Sequence, residues 1–405
     1  MSVEFAINGG LLRRTLMRLE SVRDKSDFSA TNFSFFGFYV KEKSMDICAR
    51  KDGISAKINI GANEDISISE AGNFSLFGKN VSKLVSKFPD GQVTVVVDEA
   101  DDNAMKELGD SLGVELSTNA IVTFYLPDAS GKATKNSKNS YTLVGDMSKN
   151  NIPSPPEKVK GKTVEINMAI FSRLLEKTSF AASFNEKESD INFRAARLEF
   201  SKDGVTFVAT DGTCLALSQD RTESYEEAIC QLYAKELNTI TQIVTSKDKK
   251  LVITIGDSKS IFKYEDVVVN VDSAGNIDKY ANYKMFTDRK DEDAQGLCTV
   301  KKTEFAKVLG RIAETTDCDT VFHFSDKECY VKTEGGVIRC NEDLGEAITD
   351  YSGEDGDYIF NYEHLSNSVK LAEEEVFALR LFGSLSPVEV KFNDDLKFII
   401  LPLNE

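Results

Sequence analysis

Three short segments of the chain place basic residues at one recurring spacing. They are Leu12-Arg13-Arg14-Thr15-Leu16-Met17-Arg18, Phe171-Ser172-Arg173-Leu174-Leu175-Glu176-Lys177 and Phe305-Ala306-Lys307-Val308-Leu309-Gly310-Arg311. Each opens on an apolar residue and carries cations two and six positions later. On a helix, residues four apart share a face, so Arg14 with Arg18, Arg173 with Lys177, and Lys307 with Arg311 form the same basic stripe three times. Lys79, Lys83 and Lys87 repeat the spacing on a second predicted helix. Like charges so placed cost an isolated helix roughly 0.2–0.5 kcal/mol per pair. One such stripe alone reads as an ordinary solvated helix face. Three at matched positions, in a chain of net charge −17, point to a polyanion outside the protein. No helix-turn-helix or zinc-finger pattern accompanies them, and no aromatic-interleaved basic platform for single strands. The chemistry they offer is phosphate attraction without base specificity.

The sharpest enzyme-like motif is Ala209-Thr210-Asp211-Gly212-Thr213 after an apolar strand. Haloacid-dehalogenase phosphatases carry Asp-x-Asp-Gly-Thr there, with the first Asp as nucleophile. Ala209 occupies that position, so no attacking group is present. Walker, GxSxG and HExxH patterns are absent, and no carboxylate spacing singles out an acid–base pair. Seven cysteines, Cys48, Cys214, Cys230, Cys298, Cys318, Cys329 and Cys340, form no CxxC pair. With only His323 and His364 to join them, they are read as reduced packing residues. The expectation is a non-enzyme without metal or cofactor.

These residues must be positioned by a repeated unit. Apolar residues three and four apart in each basic segment make one buried helix face. A strand-rich stretch follows each helix and ends in a Gly turn: Ser44–Ala49 before Gly53, Val205–Ala209 before Gly212, and Tyr330–Gly335. From Leu12 to Gly53 and from Phe171 to Gly212 the spacing is 41 residues in both copies. The third copy is trimmed. Second helices are predicted over Lys79–Phe88, Ala234–Thr245 and Tyr362–Leu371, before strands Val93–Val97, Leu251–Ile255 and Val376–Leu381. Such a unit is α+β, with two helices packed on a largely antiparallel sheet. Breaks at Asn150–Pro156 and Asp288–Asp293 set domains of 1–157, 158–290 and 291–405. Gly131–Ser140 reads as a mobile loop inserted in the first domain, and Asp98–Asp102 as a solvated acidic run. The start of the chain shows no basic region followed by an apolar run, and no stretch is apolar enough to span a membrane. A cytoplasmic protein is expected.

Together these features resemble the bacterial sliding clamp, the β subunit of DNA polymerase III. Phe207-Val208-Ala209-Thr210-Asp211-Gly212-Thr213-Cys214-Leu215-Ala216 is similar to the family's ATDGxxLA segment in its middle domain. Tyr351-Ser352-Gly353 through Ile359-Phe360-Asn361 to Leu365 is similar to its last domain. Ser386-Pro387-Val388 with Phe398-Ile399-Ile400-Leu401-Pro402-Leu403 is similar to its ending. The resemblance implies three clamp domains per chain, forming half of a homodimeric, pseudo-sixfold ring around duplex DNA. Helices would line the hole, so that cations face inward while anions face outward. It puts Arg14, Arg18, Arg173, Lys177, Lys307 and Arg311 on or near the channel, joined by Lys79, Lys83 and Lys87. It also implies partners, namely a polymerase and a clamp loader, that dock short hydrophobic peptides. Their pocket maps to Phe193, Thr210, Gly212, Leu215, Ile399, Leu401, Pro402 and Leu403.

Two departures stand out. The chain ends in Asn404-Glu405, where the family has a basic and then an apolar residue. Glu314-Thr315-Thr316-Asp317 are polar where the family's protomer interface is commonly apolar. Such divergence suits a clamp encoded by a phage or another mobile element. The rival reading is a repeat-built scaffold that binds acidic proteins and never encircles DNA.

Overall fold

A computed structural model of the chain describes residues 2–23, 35–61, 65–100, 119–128, 131–149, 152–315, 319–334 and 338–403. Six helices of eight or more residues occur among them: α1 (Gly9–Leu19), α2 (Gly78–Val85), α3 (Met168–Thr178), α4 (Ala234–Ile243), α5 (Lys302–Ile312) and α6 (Tyr362–Lys370). In α1, α3 and α5 the helix begins three residues before Leu12, Phe171 and Phe305, and each is 11 residues long. The periodic apolar residues form the buried face: Leu12 and Leu16, Phe171 and Leu175, Phe305 and Leu309. Each of these helices follows directly on a strand, Ser2–Asn8, Lys162–Asn167 or Gly296–Lys301. Asn8 stops its strand by capping α1, its Oδ1 accepting the Leu11 amide at 3.0 Å, as short polar side chains do at an N-cap. The predicted second helices are also present, but α2 ends at Val85. Lys87 therefore lies in the turn beyond it, where its amide bonds the Leu84 carbonyl, and is not the third member of a helical stripe.

The chain divides into two compact units, Met1–Met168 with Thr239–Asp272, and Ala169–Asn238 with Ser273–Glu405. All named strand pairings are antiparallel. The first unit holds a 13-stranded sheet. Its order begins Lys162–Asn167, Lys250–Ile255, Lys259–Tyr264, Val267–Asp272. It continues Ile54–Gly61, Ser44–Lys51, Phe35–Lys41, Gly72–Phe77, and ends Ser140–Asp146, Ala120–Tyr125, Gln92–Glu99, Ser2–Asn8, Ile66–Glu70. The second unit holds a nine-stranded sheet running Ala228–Tyr233, Ala195–Ser201, Gly204–Thr210, Cys214–Asp220, Leu396–Ile400, Val388–Asn393, Val376–Leu381, Gly296–Lys301, Ile348–Gly353. A four-stranded sheet, Asn341–Asp343, Cys329–Glu334, Asp319–Phe324, Gly356–Ile359, completes it.

One pairing occurs in both units. In the first, Val267–Asp272 pairs with Ile54–Gly61, Val267 opposite Ile58 and Val271 opposite Ile54. In the second, Leu396–Ile400 pairs with Cys214–Asp220, Leu396 opposite Ser218 and Ile400 opposite Cys214. The flanking bonds match as well. Asn59 donates to the Asp266 carbonyl at 2.9 Å, and Gln219 to that of Asp395 at 2.8 Å. Asp272 donates to the Gly53 carbonyl at 2.9 Å, and Leu401 to that of Thr213 at 2.8 Å. The last strand of one repeat thus completes the four-strand sheet of the repeat before it, in identical register. The middle repeat is shared between the two units for this reason: its closing strands finish the first repeat, while its own opening strands are finished by the third.

The predicted breaks are packed rather than free. Ile152 and Pro153 are buried, and the Tyr39 hydroxyl donates to the Pro153 carbonyl at 3.2 Å. Asp291 pairs with Arg380, which also holds the buried Glu389 at 2.6 Å. Burial pushes the Glu389 carboxyl above the ordinary range, against the pull of Arg380. Removing one partner from a buried pair strands the other charge, at a cost of about 3–5 kcal/mol. Arg380→Met is therefore expected to lower stability by about that much in chemical unfolding, and the double change Arg380→Met with Glu389→Leu to recover most of it. An Arg380→Met protein as stable as the parent contradicts this account.

Candidate functional site

Two sites emerge from the fold, an apolar cleft and the cationic helix faces. The cleft lies within the second unit. Its floor is set by strand pairing, which places Leu215 opposite Ile399. Both are buried in one cluster with Val208, Leu217, Tyr280 and Tyr283. Beyond Ile400 the chain leaves the sheet, and Leu401 and Leu403 emerge 36% and 42% exposed. The tail is fixed at both ends of this short run, by the Leu401 amide on the Thr213 carbonyl and the Leu403 amide on the Ile359 carbonyl at 2.9 Å. Pro402 bridges to Phe360 between them.

The Asp211–Cys214 turn forms one wall. Asp211 Oδ1 accepts the amides of Thr213 at 2.8 Å and Cys214 at 2.7 Å. Thr210 Oγ1 donates to the Cys214 carbonyl at 2.7 Å and accepts the Gly212 amide at 3.1 Å. Gly212 has a φ of +89°, and a Cβ there would stand 2.9 Å from the Phe193 ring. Both the left-handed backbone and the ring contact require glycine. His364 on α6 braces the turn from outside, its Nε2 3.0 Å from Thr213 Oγ1 and 3.6 Å from Asp211 Oδ2. Asp211 is therefore a turn-forming residue with its acceptors occupied. Of the residues read as a pocket, Phe193 and Thr210 hold Gly212, Leu215 faces Ile399, Leu401 is tied to the turn at Thr213, and Leu403 to Ile359.

Sequence reasoning missed the aromatic floor. Tyr280 and Tyr283 pack against Leu215 and Ile399, with Phe286 beside them. Their phenols are bound, to the Val208 carbonyl at 3.1 Å and Glu199 at 2.9 Å, and burial raises both above the ordinary tyrosine value. The signal was the spacing Tyr280-x-x-Tyr283-x-x-Phe286, hidden in a polar-flanked segment with no regular period. The result is a buried apolar cluster beside which Leu401 and Leu403 stand exposed.

The cations are less free than their spacing implied. Arg18 is bound by the Ile243 carbonyl at 2.8 Å, at the C-terminus of α4, and by Asp266 at 3.1 Å. Lys177 reaches Glu373, just past the C-terminus of α6, at 2.6 Å, and holds the Glu373 carboxyl below its usual range. Both therefore tie the first helix of one repeat to the end of the second helix of the next, where carbonyl ends favour a cation. Arg173 is paired with Asp220, Lys307 with Glu304 at 2.8 Å, and Arg311 with Glu342. The last two stay more than half exposed, in pairs worth about 0–1 kcal/mol that a phosphate can displace. Arg14, Lys83 and Lys87 are exposed and have no carboxylate partner among the described residues. The Lys79 side chain lies outside the described residues.

Residues 165–272 match the family model of the DNA polymerase III beta subunit, central domain. The whole chain superposes on the DNA polymerase III beta chain of Streptococcus pneumoniae with a TM-score of 0.82 at 16% identity. It superposes on the DNA polymerase sliding clamp of Bacillus subtilis at 0.80 and 15%, and on the Thermotoga maritima beta subunit at 0.79 and 17%. In each case 100% of both chains is covered. The chain has the sliding-clamp fold. Comparison with the curated proteins finds no match in sequence. No helix among the described residues is long and apolar enough to cross a membrane.

On this fold the stripe residues divide into junction cations and surface cations, and the two classes respond differently to substitution. Arg18→Ala is expected to cost about 1.5–3 kcal/mol, the range for hydrogen bonds to a charged group. Arg14→Ala should stay within about 0.5 kcal/mol of the parent. Equal unfolding midpoints for the two variants would remove the junction role of Arg18.

Proposed function

We propose that the protein is a DNA sliding clamp, a non-catalytic ring that encircles duplex DNA and tethers a polymerase. The carrying observation is the junction pairing. Each repeat in the chain has its four-strand sheet completed by the last strand of the repeat that follows, except the third. Its fourth strand, Asn341–Asp343, pairs among the described residues only with Cys329–Glu334. At the other end of the series, Ser140–Asp146 is the last strand of the first repeat; among the described residues its ladder partners beyond Ala120–Tyr125 are Ser75 and Leu76, opposite Asp146 and Gly145. Two copies of the chain supply each other with the missing pairing, head to tail, and the series closes. The three domains 1–157, 158–290 and 291–405 then give six around the ring.

The electrostatics support the same reading. A net charge of −17 opposes adhesion of the outside to DNA. The exposed helix cations Arg14, Lys83, Lys307 and Arg311, with Lys87 in the turn after α2, give weak, exchangeable phosphate contacts. Such contacts suit sliding, and the topology of a ring supplies the residence time. The cleft around Leu215, Ile399, Leu401 and Leu403 takes the hydrophobic peptide of a polymerase or clamp loader, in a cytoplasmic replication setting.

Deleting Leu401–Glu405 should leave the fold intact and weaken a hydrophobic docking peptide by about 2 kcal/mol or more, roughly thirtyfold. Retained affinity, read by calorimetry on the folded truncation, would put the peptide elsewhere. The ring itself is tested on nicked circular DNA. Loaded protein should persist at moderate salt and be lost once the circle is cut. Equal dissociation from circle and line would make the protein an electrostatic binder or scaffold.

A further inference from the structure

The ring reading leaves open what holds this particular ring closed, and the surfaces beside its two open strand edges differ sharply in charge. Next to Asn341–Asp343 lies a hollow of about 1030 Å³ in the second unit, lined by Asp326, Glu328, Asp343, Asp350, Lys327 and the backbone of Gly345 among others. Glu346, in the turn that follows Asp343, is exposed. Another edge strand, Ile348–Gly353, borders the same hollow and pairs among the described residues only with Gly296–Lys301.

The strand that would dock here, Ser140–Asp146, is preceded by Gly131-Lys132-Ala133-Thr134-Lys135-Asn136-Ser137-Lys138-Asn139, with three lysines and no carboxylate. The loop is held in place from its own unit. Thr94 Oγ1 donates to the Ala133 carbonyl at 2.8 Å, and Lys135 pairs with Glu4 at 2.8 Å. Lys132 and Lys138 are exposed and have no carboxylate partner among the described residues.

The register of the two internal junctions decides how these surfaces meet. In both, the pairing is antiparallel, and the start of the last strand lies near the end of the fourth strand. Applied to a second copy, that rule sets Ser140 beyond Asp343, and leads the residues before it onto the turn at Gly345 and into the hollow. We infer that, in the clamp, Lys132 and Lys138 of one copy seat against Asp350 and Glu346 of the other. The ring of this chain is thus closed by strand pairing and opposed charge. This inference rests on the ring reading, and it makes the closure salt-sensitive. Opposed charges at a rim are screened beyond a Debye length, about 10 Å at 0.1 M salt and 3 Å at 1 M.

The test is sedimentation of the full chain across a potassium chloride series, with three variants: Lys132→Glu with Lys138→Glu, Glu346→Lys with Asp350→Lys, and all four changes together. The parent dimer should weaken about tenfold or more as salt rises. Each double reversal should raise the dimer Kd by about tenfold or more at low salt, and the fourfold variant should return to within about threefold of the parent. That recovery also shows that the reversed chains fold. A parent dimer indifferent to salt and to both reversals overturns this closure and leaves the ring standing. Reversals that weaken the dimer without recovery in the fourfold variant also overturn it. A parent that is monomeric at every salt concentration overturns the ring reading and this inference with it.

Discussion

The structure depends on one constraint: a strand edge carries a row of backbone donors and acceptors that must be paired or left to water. The first and second repeats each build a four-strand sheet whose outer edge the last strand of the next repeat closes. The match in register between Val267–Asp272 on Ile54–Gly61 and Leu396–Ile400 on Cys214–Asp220 shows this as one rule applied twice. A one-residue slip at either junction would turn every inward side chain outward.

Other features follow from that pairing. It brings Ile399 beneath Leu215 and so makes the floor of the cleft. It delivers Leu401 and Leu403 to the surface at the point where the chain leaves the sheet, held by the carbonyls of Thr213 and Ile359. It also brings the end of one repeat's second helix within reach of the previous repeat's first helix. Arg18 and Lys177 are consequently bound into junctions. The cleft and the junction are one structural event, since the Asp211–Cys214 turn both ends a paired strand and walls the pocket.

Charge is distributed by the same logic. Arg18 and Lys177 lie in pairs that join repeats, Arg173 and Arg380 in pairs inside one repeat, and Arg14 and Lys83 on exposed helix faces. Buried thiols play no part in this, being held well above neutrality by desolvation, with Cys230 pushed up to about 12. The buried Arg380–Glu389 pair holds the segment at Asp291, so a stretch that is polar and loop-like in sequence is anchored in a core.

The sequence by itself determined the repeat, the six helices and the strands between them. Apolar periodicity is a local property, and it places α1, α3 and α5 to the residue relative to Leu12, Phe171 and Phe305. It also marks the glycine turn at Gly212 and the apolar run at the chain end, which the fold ties together through the Leu401 amide on the Thr213 carbonyl. The tertiary structure alone decided which cations are free. Spacing shows that Arg14 and Arg18 share a helix face, but Asp266 and the Ile243 carbonyl lie more than two hundred residues away and come within reach only through strand pairing. The aromatic cluster from Tyr280 to Phe286 was likewise illegible, because it is set by neighbours distant in sequence. A side chain's type and spacing fix what it can do, and its partners across the fold fix what it is left free to do.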